Sequence, residues 1–222
     1  MRRAMFVVSC VALLAACQEP DSRIGSVMVQ WMDWPAEVLA SQPFTVRMIV
    51  SQPCAANGFR DGGSADQSAV TFEPYFLDVN EDVLCARQNS FEIAIGALDT
   101  AGLAPGLPAD VARTYEMRAA TWEPVVQANG LGSLPVRTFG EVTVRPSGVD
   151  AVRRNAAGLA SVETDDLGCV RIRPFWVGEP EDLVPLDNQA SPVFSAFVRG
   201  YYYDAAAPVC GETRVFRLVS VN

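Results

Sequence analysis

The 222-residue chain carries 26 acidic residues against 17 basic ones, all of the latter arginine, and no histidine, for a formal net charge of −9. Such an acidic surface repels nucleic acids, so we expect no nucleic-acid partner. Without histidine and lysine, the chain lacks the groups for Ser-His-Asp or Cys-His catalysis, for Schiff bases and for histidine-ligated metals. This composition favours a protein without enzymatic activity or cofactor.

The first 17 residues contain the segments of an export signal in their usual order along the chain. Two arginines precede an apolar stretch at 4–16, which is shorter than the roughly 20 residues that span a bilayer. The stretch ends in "LAAC" at 14–17, which resembles the lipobox of bacterial lipoproteins. The resemblance implies that 1–16 is a signal peptide and that Cys17 is lipidated and becomes the first residue of the mature chain. The alternative is an ordinary signal peptide, cut nearby, that leaves a soluble secreted protein.

The residues after the lipobox indicate how the protein is held in the cell envelope. Gln18 stands where an aspartate tends to retain proteins of this class in the inner membrane. The resemblance therefore implies an outer-membrane protein that faces the periplasm or the cell surface. Residues 17–25 are predicted to be a tether, and we expect contact with the membrane through the lipid anchor. Each CH₂ group of the anchor that is buried in the bilayer contributes about 0.8 kcal/mol to the free energy of membrane binding.

Alternation of apolar and polar residues predicts seven short strands in the first part of the mature chain. Every second residue of "PFTVRMIVS" at 43–51 is apolar, and Val136, Val142 and Val144 share one face of the segment 136–145. A period of two is typical of half-buried antiparallel strands. The predicted strands are 26–33, 43–51, 69–79, 83–87, 91–97, 112–122 and 136–145.

Proline and glycine residues indicate where the strands of the first predicted domain are interrupted or connected by loops. Pro74 is expected to bulge or break the strand that contains it. The glycine-rich stretch 57–67 and the segment 100–110 are predicted to be surface loops. Seven short strands with turns between them predict an immunoglobulin-like β-sandwich over 26–147.

A second, smaller β-domain over 148–222 is predicted after the stretch 145–155, where proline, glycine and polar residues end the first pattern. Five strands in so short a length resemble a small OB-type β-barrel, which has a thin core. In its last strand both faces carry apolar residues, so we expect that strand to be buried on most of its surface. The predicted strands are 158–163, 168–177, 182–187, 193–203 and 212–221.

Four cysteines follow Cys17, and an even number in an oxidising compartment predicts disulfides. Three connectivities are possible, and the domain assignment favours Cys54–Cys85 in the sandwich and Cys169–Cys210 in the barrel. The second cross-link would compensate for the thin core of the smaller domain. Because the chain has no CxxC pair and no histidine, a metal or redox site at these cysteines is disfavoured.

One stretch has a pattern that suggests a metal ion. Asp78, Asn80 and Asp82 match the first three oxygen ligands of a calcium loop. The glycine and the glutamate that such a loop needs further along are replaced by Val83 and Asn89. We therefore interpret the stretch as a polar turn between two strands and assign neither metal ligands nor catalytic residues.

Two stretches of sequence rich in aromatic residues give the best indication of a binding partner. The two tryptophans of "WMDWP" lie three residues apart near a strand end, so they point to opposite faces, and one of them is expected to reach solvent. In "RGYYYD" three consecutive tyrosines cannot all face one core. Tyrosine, tryptophan and arginine are enriched at the centres of interfaces. The partner-binding candidates are Trp31, Trp34, Arg199, Tyr201, Tyr202 and Tyr203.

These features favour a lipid-anchored envelope protein with a non-catalytic binding or scaffolding role. Its partner would be an envelope protein or a larger membrane complex, to which it adds a periplasmic subunit. The alternative is a secreted hydrolase that works with two carboxylates, since acidic pairs occur at 81–82, 165–166 and 181–182. A deep cleft with two facing carboxylates would favour the hydrolase, and a flat aromatic patch would favour the binding protein.

Overall fold

The computed structural model describes residues 25–53, 56–79, 86–98, 111–120, 136–174, 183–188 and 190–222. These residues form sixteen β-strands, and the described ranges contain no helix. The predicted all-β class is therefore confirmed. A helix long and apolar enough to cross a membrane is accordingly not found in these ranges.

Several predicted features lie outside the described residues. They are the signal peptide at 1–16, Cys17 with most of the tether, the loop at 100–110, and both cysteines of the pair Cys54–Cys85. These features stay predictions from the sequence.

Eleven strands precede the polar stretch that ends at residue 155, and five strands begin within or after it. The first eleven are β1 Gly25–Ser26, β2 Val29–Pro35, β3 Glu37–Leu39, β4 Phe44–Pro53, β5 Ala56–Asp61, β6 Ser64–Ala65, β7 Ala69–Phe72, β8 Pro74–Val79, β9 Ala86–Ile95, β10 Arg113–Ala120 and β11 Val136–Arg145. The last five are β12 Arg154–Thr164, β13 Val170–Pro174, β14 Val184–Pro185, β15 Val193–Val209 and β16 Glu212–Val221. The break predicted at Pro74 is confirmed, because β7 ends before it and β8 begins with it.

The glycine-rich stretch 57–67 is not the surface loop that its composition predicts, because it contains most of β5 and all of β6. Oδ1 of Asp61 accepts hydrogen bonds from the backbone N–H groups of Gly63 at 3.1 Å and Glu73 at 2.8 Å, which fastens the turn. A Cβ atom on Gly63 would lie 2.0 Å from the carbonyl oxygen of Thr71. Glycine at this position therefore permits close packing of strands.

The strands assemble into three sheets. One has the order β1-β8-β5, and a second has the order β3-β11-β10-β7-β6. The third runs β14-β13-β12-β2-β4-β9, with β15 paired to β12 and β16 paired to β15. Because β2 pairs with β12, strands from both predicted segments, 26–147 and 148–222, share this sheet. Their division into two domains stays a prediction.

The larger core combines inward residues of β2 and β4 with those of β7, β10 and β11. Val46, Met48 and Val50 are buried in it, which confirms the predicted inward face of β4. Ile49 points to the opposite side of β4 and is buried in a second core. The strand is therefore covered on both faces at this point.

A β-bulge in β11 changes which of its residues face the larger core. The register between β10 and β11 shifts so that Phe139 has no partner directly opposite, yet its side chain is buried. Val136 is 47% exposed. The prediction that Val136 shares the inward face of Val142 and Val144 is therefore wrong, because the bulge reverses the alternation between them.

Strands β12 to β16 curl into a barrel-like sheet around the second core. β12 pairs with both β13 and β15, and β15 pairs with β16. Leu186, just after β14, forms a bridge with Phe216 of β16 that brings the two ends of the curl together. The small five-stranded barrel-like arrangement predicted for the second segment is confirmed.

The predicted disulfide Cys169–Cys210 is confirmed, with Cα atoms 6.0 Å apart. It joins the turn before β13 to the turn between β15 and β16. Arg171 lies beside it and contacts the carboxylates of Asp165 at 2.9 Å and Glu212 at 2.6 Å. The hydrogen bonds from Arg171 and from the backbone N–H of Cys169 hold the pKa of Asp165 below its ordinary value.

Candidate functional site

The three consecutive tyrosines of β15 divide between the two faces of the curled sheet. Tyr202 packs against the second core, with its ring centroid 4.9 Å from that of Phe216. Tyr201 and Tyr203 lie on the outer face, half-buried, with ring centroids 5.8 Å apart. The prediction that the three tyrosines cannot share one core is confirmed.

Arginines surround the two outer tyrosines. The guanidinium of Arg153 lies over the ring of Tyr201, 3.8 Å from its centroid. Arg217 lies opposite Tyr201 in the pairing of β15 with β16, and Val219 follows on β16 with 67% of its surface exposed. We call this surface the tyrosine face and define it by Arg153, Tyr201, Tyr203, Arg217 and Val219.

The buried carboxylate of Asp187 orients part of the tyrosine face. The hydroxyl of Tyr203 donates a hydrogen bond to Oδ2 of Asp187, and Nε of Arg217 donates to the same oxygen at 2.8 Å. The hydrogen bond to Asp187 is the main reason that the pKa of Tyr203 lies above its ordinary value. The hydroxyl therefore stays protonated at neutral pH, and both donors are held in place before a partner arrives.

Two shallow depressions, of about 310 and about 560 Å³, open on either side of Tyr201 and Arg153. Beyond them Val219 and Val221 are exposed. The prediction that the last strand is buried on most of its surface is therefore wrong, because the outer face of β16 meets solvent at its C-terminal end. Aromatic rings and guanidinium groups are enriched at interface centres, and the exposed valines extend this surface with apolar area.

The two tryptophan candidates lie inside the protein. Trp31 and Trp34 point to opposite faces of β2, as predicted, but both are fully buried. The prediction that one of them reaches solvent is wrong because both faces of β2 are covered. Trp34 packs in the larger core, and Trp31 packs in the second core against Phe216 of β16. Nε1 of Trp34 donates a hydrogen bond to the carbonyl oxygen of Glu141 at 2.9 Å. Neither tryptophan is available to a partner at the surface.

Arg199 connects strands and contributes only to the edge of the smaller depression. Its Nη2 donates a hydrogen bond to the carbonyl oxygen of Thr138 at 2.7 Å. Its guanidinium carbon lies 5.7 Å from the ring centroid of Phe197. The side chain therefore holds β15 against β11 and borders the tyrosine face.

The predicted calcium pattern lies only partly in the described residues. Asp78 belongs to β8, where it pairs with Asn57 of β5, while Asn80 and Asp82 lie outside the described ranges. Among the residues that the structure describes, no three side chains of the metal-binding types come together. The weak calcium candidate stays a prediction.

A cleft that the sequence analysis did not anticipate lies where the barrel-like sheet meets β2, β4 and β9. We call it the arginine cleft, and its volume is about 520 Å³. Three guanidinium groups, two carboxylates and one aromatic ring line it: those of Arg47, Arg154, Arg214, Asp33, Glu92 and Tyr202.

The charged residues of the arginine cleft occupy core-facing positions of their strands. Asp33 follows Trp31 by two residues and Arg47 precedes Ile49 by two, and both Trp31 and Ile49 are buried in the second core. Alternate residues of a strand share a face, so the charges extend the core outward to the surface. In the sequence, the signal for this cleft was a charged residue that shares a strand face with apolar residues. Only the pairing of the strands shows that these charged residues lie close together.

Asp33 is enclosed by two of the arginines. Nε of Arg154 donates a hydrogen bond to Oδ1 of Asp33 at 2.8 Å, and Nε of Arg47 lies 3.2 Å from Oδ2. Cations therefore lie against both carboxylate oxygens of Asp33. Glu92 is a second carboxylate of the cleft, so the hydrolase alternative stays a prediction.

A comparison of the chain with protein-family models, curated proteins and solved structures found no match.

Proposed function

We propose that this protein is a lipid-anchored protein of the cell envelope with a non-catalytic binding role, and that it holds an envelope or membrane protein through the tyrosine face. The observation that carries the proposal is the fixed arrangement of Tyr203 and Arg217 on Asp187, directly beside the exposed Val219. Tyrosine and arginine are enriched among the residues that contribute most to binding, and an exposed apolar neighbour adds area that a partner can bury.

Pre-orientation lowers the cost of binding at the tyrosine face. Ordering a long side chain on association costs about 0.5–1.5 kcal/mol. Tyr203 and Arg217 are already held by Asp187, and Arg153 is already stacked on Tyr201. A partner therefore gains contacts without first ordering these groups.

The charge of the tyrosine face indicates the chemistry of the partner. The chain is acidic overall, with a net charge of −9, but Arg153 and Arg217 place two guanidinium groups on this face. Asp187 offsets one of them from its buried position, and Asp150 and Asp204 line the same depression. The face therefore has no excess of positive charge, and we expect the partner to present an apolar patch bordered by polar groups of both signs, since complementary charges favour encounter and register.

Replacing Val219 with aspartate should weaken partner binding by about 30-fold, since a central interface residue is worth about 2 kcal/mol. A carboxylate at this position loses the apolar contact and must give up its hydration when the partner covers it. The measurement is quantitative recovery of co-purifying proteins from the membranes of cells that produce the tethered protein, together with the Tm of the purified chain.

The matched control is Val136→Asp, which changes a similarly exposed valine outside the tyrosine face. Tyr201→Ala provides a second variant on the face itself. The proposal expects loss with both tyrosine-face variants, an unchanged Tm for Val219→Asp and full recovery with Val136→Asp. Equal recovery for all three variants, or equal loss for the control, contradicts it.

The lipid anchor has its own test. The intact mass of the protein from the membrane fraction should correspond to a chain that starts at Cys17 and carries acyl groups. Cys17→Ser should move the protein out of the membrane fraction. A cleaved chain without acyl groups would instead favour the soluble secreted alternative, and an intact unprocessed start would refute export.

A further inference from the structure

We propose that the arginine cleft is a second binding site, independent of the tyrosine face, for a small organic molecule that carries an oxyanion, either a carboxylate or a phosphate group. The volume of about 520 Å³ falls within the roughly 300–1,000 Å³ of small-molecule sites. Such sites occur in the mouths of β-barrels, and this cleft lies at the end of a barrel-like sheet.

The charge of the arginine cleft favours an anion. Arg47, Arg154 and Arg214 supply three positive charges, and Asp33 and Glu92 supply two negative ones. Asp33 faces both Arg47 and Arg154 with its single charge. Glu92 lies directly opposite Arg47 in the pairing of β4 with β9. The lining therefore has one more cation than anions, and Arg214 is the arginine that neither of its carboxylates pairs with.

The positive charge of Arg214, the third arginine of the cleft, is only weakly neutralised by its ion-pair partner. Arg214 approaches Asp204 at 3.4 Å, and more than a third of each side chain is exposed, so the pair contributes little. The guanidinium of Arg214 lies 5.5 Å from the ring centroid of Tyr202. Arg214 lines the cleft, and the fork of donors on a guanidinium matches a carboxylate or a phosphate.

Asp33 holds the other two guanidinium groups side by side against their mutual repulsion. Its main-chain carbonyl oxygen also accepts a hydrogen bond from Nη2 of Arg154 at 3.3 Å. Nε of Arg47 is buried and forms an ion pair with Asp33, but the geometry is not that of a hydrogen bond. Arg154 stands on β12 and Arg47 on β4, and both strands pair with β2, which carries Asp33, so the site is formed before a ligand binds.

The remaining lining of the cleft suggests the rest of the ligand. Pro174 and Val184 line the cleft together with Tyr202, so part of the wall is apolar and aromatic. A ligand with an oxyanion head and a short apolar body would place its charge towards Arg47 and Arg214 and its body against this wall. A nucleic acid or an extended polyanion does not fit a cleft of this size.

The test is isothermal titration calorimetry of the purified chain with two probes, inorganic phosphate and butyrate, against sodium chloride of matched ionic strength. We expect saturable binding of at least one probe. Arg214→Gln and Arg47→Gln should each weaken that binding about tenfold or more. The matched control is Arg118→Gln, because Arg118 pairs with Glu116 on another sheet and does not line the cleft.

Each outcome decides the proposal. Binding of phosphate alone assigns the site to a phosphate-bearing ligand, and binding of butyrate alone assigns it to a carboxylate. No heat beyond that of chloride for either probe, or equal binding by the cleft variants and Arg118→Gln, overturns the proposal. Arg47 lies on β4 and lines neither depression of the tyrosine face, so a loss with Arg47→Gln is distinct from a failure of partner binding.

Discussion

Replacing Gly158 with alanine is expected to lower the free energy of unfolding by about 4 kcal/mol, because steric overlap and backbone strain each cost about 1–3 kcal/mol. A Cβ atom at this position would lie 2.1 Å from the carbonyl oxygen of Gln30 and 2.6 Å from Cα of Trp31. Both are backbone atoms of β2, which cannot move aside as a flexible side chain does. The φ angle of +148° is also one that residues with a side chain rarely adopt.

The loss of stability in Gly158→Ala is expected to involve the whole pairing of β12 with β2, because Gly158 pairs with Trp31 there. This pairing joins the strands of the two predicted segments in one sheet. The measurement is the free energy of unfolding of Gly158→Ala by denaturant, compared with that of Gly96→Ala. Gly96 is the control because nothing lies within 4 Å of a Cβ at that position. If Gly158→Ala costs no more than Gly96→Ala, the close pairing of β12 with β2 is incorrect.

Removing the disulfide by Cys169→Ser together with Cys210→Ser should lower the free energy of unfolding by about 3–4 kcal/mol. The cross-link closes a loop with a sequence separation of 41 residues, so it restricts the unfolded chain strongly. It also fastens the turn between β15 and β16, which are the strands that carry the tyrosine face. We expect the variant to fold but to unfold at lower denaturant concentration.

The control for this prediction is the same comparison in the presence of a reducing agent. Once the parent protein is reduced, it has no cross-link either, so the difference between parent and variant should disappear. A difference that persists under reduction would show that the packing of the cysteine side chains, and not the covalent bond, is responsible.

The features that the sequence predicted correctly depend on short stretches of chain. The alternation in β4 places Val46, Met48 and Val50 in the core because a period of two is a local property. Pro74 interrupts its strand because it lacks a backbone donor. The five strands after residue 148 and the pairing of Cys169 with Cys210 follow from pattern and spacing within one segment.

The features that the sequence did not predict depend on strands that are distant in the chain. Trp31 and Trp34 are both buried because two cores cover the two faces of β2, and Phe216 of β16, which packs against Trp31, comes far later in the chain. The bulge at Phe139 is defined by the register with β10. The arginine cleft draws on several strands whose charged residues look like ordinary surface positions until their pairing is known.

The most direct test of partner binding is photo-crosslinking from position 219 in the full tethered chain. A photoreactive amino acid replaces Val219 in one version and Val136 in another, and both are irradiated in the membranes of cells that produce them. The account predicts one adduct of defined mass from position 219, its loss when Tyr201→Ala is added, and no such adduct from position 136. Absence of an adduct at position 219, or the same adduct from both positions, would contradict it.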